Sequence, residues 1–175
     1  MAHIISISIQ KGGVGKTTTT VGLGEALTAA GQDVLTIDLD AQANATRWLL
    51  GEPVAAGTPD VSDVLEGDAS MKEITIPVDH GPDLAPASQH LSRVATQLSA
   101  YHTLRDKLVD FGEAARRLPD DRYDYCLIDT PPYIGTLVFN ALTASDSVLI
   151  PIQLEGLSIS GLQTFSSAVQ HVQAT

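Results

Sequence analysis

Residues 10–18 of the sequence are Gln10-Lys11-Gly12-Gly13-Val14-Gly15-Lys16-Thr17-Thr18. They follow an apolar segment, residues 3–9, that is typical of a buried strand, and they lead into a predicted helix that begins near Lys16. A glycine-rich loop between a strand and a helix can fold so tightly that successive backbone N–H groups point at one anion. The positive end of the helix adds to this attraction. The sequence therefore predicts a phosphate-binding loop, and a purely structural turn is the weaker alternative.

Two side chains of this loop have predicted roles of their own. Lys16 is expected to reach the β- and γ-phosphates of a nucleotide, and the Thr17 hydroxyl is placed to ligate Mg²⁺. The loop departs from the ordinary pattern at one point, because Gln10 stands where a glycine is usual and a second lysine, Lys11, follows it.

The rest of the chain alternates short apolar segments with longer periodic ones, which is typical of a parallel α/β sheet. We predict strands at residues 3–9, 33–38, 82–87, 123–129 and 147–153. Helices are expected at residues 16–30, 88–118 and from about residue 158 onward, and residues 51–58 and 77–86 resemble surface loops. Consecutive apolar positions in several strands indicate that helices cover both sheet faces, which is a doubly wound fold.

Acidic residues follow two of these predicted strands. Asp38 and Asp40 come at the end of the second, and Asp129 ends the fourth and is followed by Thr130-Pro131-Pro132. Ligands in open α/β sheets bind beyond the carboxyl ends of the strands, where the phosphate-binding loop also lies. Asp129 has the form of a Walker B carboxylate that supports a bound metal ion. A role for Asp40 as the N-cap of the next helix is a structural alternative.

Length and charge limit the remaining possibilities. The 175 residues suit a single domain spanning 1–175, and 43% apolar with 18% charged residues is a globular balance. The lone cysteine, Cys126, lies in an apolar segment and is expected to be a buried hydrophobic residue. The net charge of -11 means that any DNA binding is local or assembled from several chains. Neither an export signal nor a membrane segment is expected, and the predicted location is the cytoplasm.

The string from Lys11 to Thr18 resembles the deviant Walker A motif of the ParA/MinD family of ATPases. Residues 38–46 resemble the D-x-D-P-Q-x-N segment of that family, with Ala41 in place of the usual proline, and Asp129 to Pro132 match its D-T-P-P switch. Residues 151–161 resemble the partition proteins more than MinD. The likeness extends from Ile4 to about Gly161, and it points to a ParA/Soj-type partition ATPase with a P-loop NTPase fold.

This resemblance implies a role for each site residue. Nucleotide-binding residues would be Lys11, Gly12, Gly13, Val14, Gly15, Lys16, Thr17 and Thr18. Lys11 would cross a dimer interface to the partner's phosphates and act in catalysis with Lys16, and Asp40 would orient the attacking water. Thr17, Asp38 and Asp129 would serve the metal ion. The implied cofactors are ATP or ADP and Mg²⁺.

The resemblance also implies partners and a process. We expect an ATP-dependent homodimer, slow ATP hydrolysis, stimulation by a ParB-like protein, non-specific DNA binding at the nucleoid, and a role in plasmid or chromosome partition. The alternatives are a MinD-like positioning ATPase and a nucleotide-dependent interaction module without turnover. Because the family usually carries further strands and helices, we also expect the C-terminal part of the family domain to be missing, with weak discrimination of ATP from GTP and self-association through a sheet edge.

Overall fold

A computed structural model of the chain describes residues 2–97, 123–153 and 158–173. Its strands lie in one parallel sheet in the order β3-β2-β4-β1-β5. They are β1 (His3–Ile7), β2 (Val34–Asp38), β3 (Asp83–Ala85), β4 (Tyr125–Asp129) and β5 (Ser147–Leu149). All five predicted strands are confirmed, and each is shorter than predicted: β1 and β5 end earlier, β2 and β4 begin later, and β3 is shorter at both ends.

The helices connect these strands. They are α1 (Lys16–Ala29), α2 (Asn44–Leu50), α3 (Val61–Glu66), α4 (Met71–Ile74), α5 (His90–Gln97), α6 (Thr136–Ala144) and α7 (Ser158–Gln173). α5 begins the predicted helix 88–118 and buries Leu91 and Val94 as expected, whereas residues 98–118 lie outside the described residues. None of the helices in the described ranges is long and apolar enough to cross a membrane.

Alternate residues of the central strands face opposite sides of the sheet. On β4, Leu127 packs with Leu23 and Leu27 of α1, whereas Cys126 and Ile128 belong to the larger cluster on the other face. That cluster includes residues of α3, α5 and α6. Helices therefore cover both faces, and the doubly wound fold is confirmed. Cys126 is fully buried, and burial raises the pKa of its thiol to about 12, so it packs as an inert apolar group.

Helices α3, α4 and α6 were not predicted, although the first two carry a sequence signal. Helices α3 and α4 each begin with a capping box. The N-cap side chain accepts a hydrogen bond from a backbone N–H of the first turn, and the carboxylate of the third helical residue accepts one from the N-cap N–H. The pairs are Asp60 with Asp63 and Ser70 with Glu73. These helices are only 6 and 4 residues long, so they contain too few turns for apolar periodicity to reveal them.

Two glycines of α1 provide a matched test of this packing. A Cβ at Gly22 would meet nothing within 4 Å, whereas a Cβ at Gly24 would lie 3.0 Å from Pro82 Cγ and 3.3 Å from Thr36 Oγ1. In a helix interior, alanine is more favourable than glycine by about 1 kcal/mol of folding free energy. Gly22→Ala should therefore raise the free energy of unfolding by up to about 1 kcal/mol. Gly24→Ala should lose this gain or destabilise the protein. Urea denaturation of both variants measures the difference, and equal stabilisation would contradict the packing of α1 against the loop before β3.

Candidate nucleotide-binding site

The loop between β1 and α1 has the backbone geometry of an anion cradle. Gly13 and Gly15 have φ values of 73° and 90°, in the left-handed region that residues with a side chain rarely adopt. Gly15 is also the N-cap of α1 and provides no side-chain cap for the first helical N–H groups. Because those groups have no partner within the helix, they can donate to an anion bound at the N-terminus of α1.

The Lys16 side chain turns back into this loop. It is only 8% exposed, and its Nζ donates a hydrogen bond of 2.9 Å to the backbone carbonyl of Lys11. Burial lowers the pKa of the Lys16 amine, although the charges of Asp129 and Asp40 act in the opposite direction. The geometry therefore places a desolvated cation inside the loop, where it can contact an anion strongly.

Asp129, at the end of β4, lies beneath the start of α1 and is fully buried. Its Oδ2 accepts a 2.7 Å hydrogen bond from the Thr17 hydroxyl, and its Oδ1 accepts a 3.3 Å bond from the Thr20 hydroxyl. Burial, and then the charge of Asp38, raise the pKa of Asp129 to about 7. The structure thus brings together Thr17 and Asp129, two of the three residues predicted to serve a metal ion.

Asp38, the third of these residues, is aligned with Asp129 across the β2–β4 ladder and is also fully buried. Both of its oxygens have partners: Oδ1 accepts from the Asp40 N–H at 3.1 Å, and Oδ2 accepts from the N–H and hydroxyl of Thr46 at 2.8 Å each. Burial raises the pKa of Asp38 to about 6. Its contacts are therefore to the turn after β2 and to the start of α2, and a role toward a metal ion stays a prediction.

Asp40 lies just beyond β2 and is half-buried. Its Oδ1 accepts a 3.0 Å hydrogen bond from the Gln42 N–H, which closes a tight turn. The N-cap of α2 is Ala43, so the alternative in which Asp40 caps that helix is wrong. The charge of Asp40 acts to raise the pKa values of Lys16, Asp129 and Tyr133, so its carboxylate lies within electrostatic range of all three.

The loop after β4 borders the glycine-rich loop. The Thr130 hydroxyl donates to the carbonyl of Ile7 at 2.8 Å, which fixes the loop to the end of β1. Pro132 lies close to the glycine-rich loop, since its Cβ would be 4.0 Å from a Cβ at Gly12. After β5, Gln153 Nε2 donates to the carbonyl of Gly13 at 3.1 Å. Three connections therefore meet at one edge of the sheet.

Sequence reasoning missed three polar residues of this site, namely Thr20, Thr46 and Gln153. For Thr20 a signal was present, because it lies three residues after Thr17 and so on the same side of α1. Thr46 and Gln153 contact residues that are distant in the sequence, and nothing in the local pattern marks them.

The oxygen donors fit Mg²⁺, provided that a nucleotide completes the site. Thr17 and Asp129 offer hard oxygen atoms side by side, which is the donor type that Mg²⁺ prefers. Over the described ranges, no group of three or more His, Cys, Asp or Glu side chains could hold a metal ion. Mg²⁺ in nucleotide sites is usually held by one or two protein groups together with phosphate oxygens and water, so this donor set is sufficient only with phosphates present.

The fold is a parallel, doubly wound sheet with a glycine-rich loop after β1. The loop contains a buried lysine, and a neighbouring strand ends in a carboxylate. Together these features define a P-loop nucleotide-binding protein. A family model described as an AAA domain matches residues 2–175. The sporulation initiation inhibitor protein Soj of Bacillus subtilis is 41% identical over 99% of this chain and 67% of its own length. The chromosome partitioning protein ParA of Caulobacter vibrioides is 37% identical over 99% of this chain and 64% of its own. The chain belongs to the ParA/Soj-type family of P-loop ATPases.

Solved structures agree with this assignment. One is a cobyrinic acid a,c-diamide synthase from Mycobacterium smegmatis with bound ATP analogue and magnesium. It superposes with a TM-score of 0.89 at 34% sequence identity, and the match covers 99% of the present chain and 69% of the synthase chain. Another is a protein of Borrelia burgdorferi described as a plasmid partition protein and bound to AMPPNP. It has a TM-score of 0.86 at 28% sequence identity, and the match covers 99% of the present chain and 70% of the Borrelia chain. The present chain spans about two thirds of the length of the curated relatives it matches.

The two buried carboxylates predict a pH dependence of stability in the absence of nucleotide and divalent metal. Their pKa values are raised from 3.8 to about 6 and about 7, so the folded protein binds their protons more tightly than the unfolded chain does. The free energy of unfolding should therefore fall, by up to about 6 kcal/mol, as the pH rises from about 4 to about 7. The groups facing Asp129 are Asp38, Asp40 and Lys16.

Urea denaturation in a chelating buffer across this pH range measures the slope, and Asp129→Asn is the control. The asparagine keeps an acceptor for the Thr17 hydroxyl but does not titrate. The free energy of unfolding of this variant should therefore change clearly less with pH than that of the wild type. A wild-type slope equal to that of Asp129→Asn would show that Asp129 is already ionised when buried.

Proposed function

We propose that the chain is an ATP-dependent dimerisation switch that binds ATP or ADP with Mg²⁺, hydrolyses ATP slowly and acts in plasmid or chromosome partition. The observation that carries this proposal is the contact between the Thr17 hydroxyl and the Asp129 carboxylate at 2.7 Å, directly after a loop that holds the Lys16 ammonium. A bound nucleoside triphosphate with its metal ion requires a cation for the phosphates and oxygen ligands for the metal. These groups lie together at one edge of the sheet.

Phosphate binding is assigned to the loop backbone and Lys16. The carbonyl that now accepts from Lys16 Nζ is a neutral partner, and a phosphate oxygen is a stronger one because the hydrogen bond is then charge-assisted. Bound Mg²⁺ would neutralise phosphate charge. Thr17 and Asp129 are the residues proposed to hold it, with Asp38 as a neighbouring charge.

Dimerisation is assigned to Lys11. Its backbone N–H donates to the carbonyl of Ile9 at 2.9 Å, so the loop turns sharply at this residue. The residue is half-buried. A cation supplied by the partner subunit adds to the charge facing the γ-phosphate, which makes association depend on ATP and not on ADP.

Hydrolysis is assigned to Asp40, which is proposed to orient the attacking water. It is half-buried, and its charge acts on the pKa values of Lys16 and Asp129. Its Oδ1 accepts a hydrogen bond from the Gln42 N–H. A carboxylate in that position can accept a proton from water or hold it in line with the γ-phosphate. An additional cation from an activating partner would raise the rate further, so we expect turnover by the chain alone to be slow.

The role in partition is proposed from the relatives. Proteins named for sporulation control, chromosome partitioning and plasmid partition match nearly all of this chain. We propose a ParB-like activating protein and non-specific DNA as partners, in the cytoplasm at the nucleoid. With a net charge of -11, the chain would need a local or dimer-assembled surface to hold DNA.

Two lysines of the loop should have different functions. Lys16→Ala should abolish measurable ATP binding in calorimetry, because it removes the central cation of a site that binds phosphate charge. Lys11→Ala should keep ATP affinity within about threefold of wild type but lose ATP-driven dimerisation in light scattering, because its charge acts on the other subunit.

Retained micromolar affinity in Lys16→Ala would contradict the loop assignment. Dimerisation of Lys11→Ala with ATP, to the extent shown by wild type, would contradict the role across the interface. The two variants are controls for each other, since each removes one cation from the same loop.

Asp40→Ala should bind ATP normally and accumulate as a dimer, because the phosphate cradle is untouched while the chemical step is impaired. Phosphate release should fall by about a hundredfold or more, the range expected for loss of a general base. Unchanged release in steady-state assays, with DNA and the partner protein present, would place the water-orienting role on another carboxylate, and Asp38→Asn is then the next variant to measure.

A further inference from the structure

Helix α2 begins in an unusual way. Its N-cap is Ala43, which has no side-chain acceptor and whose φ of 52° lies in the left-handed region, although the residue is not glycine. The first N–H groups of a helix need acceptors from outside it. One of them, the N–H of Thr46, donates to Asp38 Oδ2 at 2.8 Å, so a carboxylate at the end of β2 supplies the cap.

The Thr46 hydroxyl has two partners of its own. It donates to the same Asp38 oxygen at 2.8 Å and accepts from the backbone N–H of Ala87 at 3.0 Å. Ala87 follows β3, and Thr46, Asp38 and Ala87 are each buried almost completely. One hydroxyl therefore connects the ends of two neighbouring strands to the start of α2, in a buried region where a lost partner is costly.

The second oxygen of Asp38 continues this connection. Oδ1 accepts from the backbone N–H of Asp40 at 3.1 Å, so the orientation of the Asp38 carboxylate determines where the Asp40 backbone lies. Two bonds from Thr46 to Oδ2 hold that orientation. The hydrogen bond to the Asp40 carboxylate itself is local, since it comes from the Gln42 N–H two residues away.

The strained backbone at Ala43 shows why residues 40–43 need such support. A non-glycine residue in the left-handed region persists only where the surrounding contacts over-determine its conformation. Here the segment is bounded by Asp38 before it and Thr46 after it, and these two residues are joined by two hydrogen bonds.

We infer that Thr46 is a positioning residue for Asp40, which it holds through Asp38 in the geometry needed to orient the attacking water. This inference rests on the proposed ATP hydrolysis. The hydroxyl of Thr46 contacts Asp38 and Ala87, so its effect is on the placement of residues 40–43 and not on the phosphates.

The test compares Thr46→Val, which removes the hydroxyl, with Thr46→Ser, which keeps it. Thr46→Val should lower kcat for ATP hydrolysis by about tenfold or more, as small displacements of catalytic groups do. ATP affinity should stay within about twofold, because the phosphate loop is untouched. Thr46→Ser should restore most of kcat, and Thr143→Val, at an exposed threonine of α6, serves as a neutral control.

Hydrogen–deuterium exchange of residues 39–46 gives a second measurement that needs no turnover. Thr46→Val should speed exchange in this segment relative to wild type and Thr46→Ser. If wild type shows no turnover, the proposed function fails, while the exchange result still decides whether Thr46 holds the segment. Unchanged exchange in Thr46→Val overturns the inference. Faster exchange with an unchanged kcat also overturns it, because the segment would then move without consequence for the reaction.

Discussion

Asp38 and Asp129 are two carboxylates that lie opposite each other at the ends of adjacent strands, both without solvent exposure. A buried charge is unfavourable unless hydrogen-bond donors or counter-charges compensate it. Much of the local structure serves this need: three threonine hydroxyls and two backbone N–H groups donate to these carboxylates, and the charge of Lys16 favours the ionised form of Asp129. The sheet order is part of the same arrangement, because β4 must lie between β1 and β2 to bring Asp129 beneath α1 and beside Asp38.

The two carboxylates are compensated in different ways. Asp38 has three donors, which all belong to the turn and helix that follow β2, so its environment is complete within the chain. Asp129 is held by hydroxyls of α1, and one of them, Thr17, is also the residue proposed to ligate Mg²⁺. If Thr17 turns to a metal ion, the hydroxyl that stays within reach of Asp129 is that of Thr20, which also lies 3.0 Å from the Lys16 carbonyl. The first carboxylate thus supports the architecture, and the second is the one that we propose responds to a nucleotide.

The sequence predicted the parts of this arrangement that depend on local pattern. The strands, the glycine-rich loop at residues 12–15 and the acidic strand ends all follow from apolar segments and glycine spacing. The cap of α2 was not predictable in this way, because Ala43 has no capping side chain and Asp38, which replaces it, is eight residues from Thr46. Its role depends on the register of the sheet. The two short capping-box helices were readable but too short to stand out, and most of the predicted helix 88–118 falls outside the described residues.

We propose that this edge of the sheet is a site for a nucleotide with Mg²⁺, in which phosphate oxygens complete the coordination of the metal ion. Equilibrium titration of the wild-type chain with ATP, with and without Mg²⁺, tests this proposal. We expect saturable binding at one nucleotide per chain that tightens by about tenfold or more when Mg²⁺ is present, since the metal adds a contact between phosphate and protein oxygens. The same affinity with and without Mg²⁺, or no saturable binding, would contradict it.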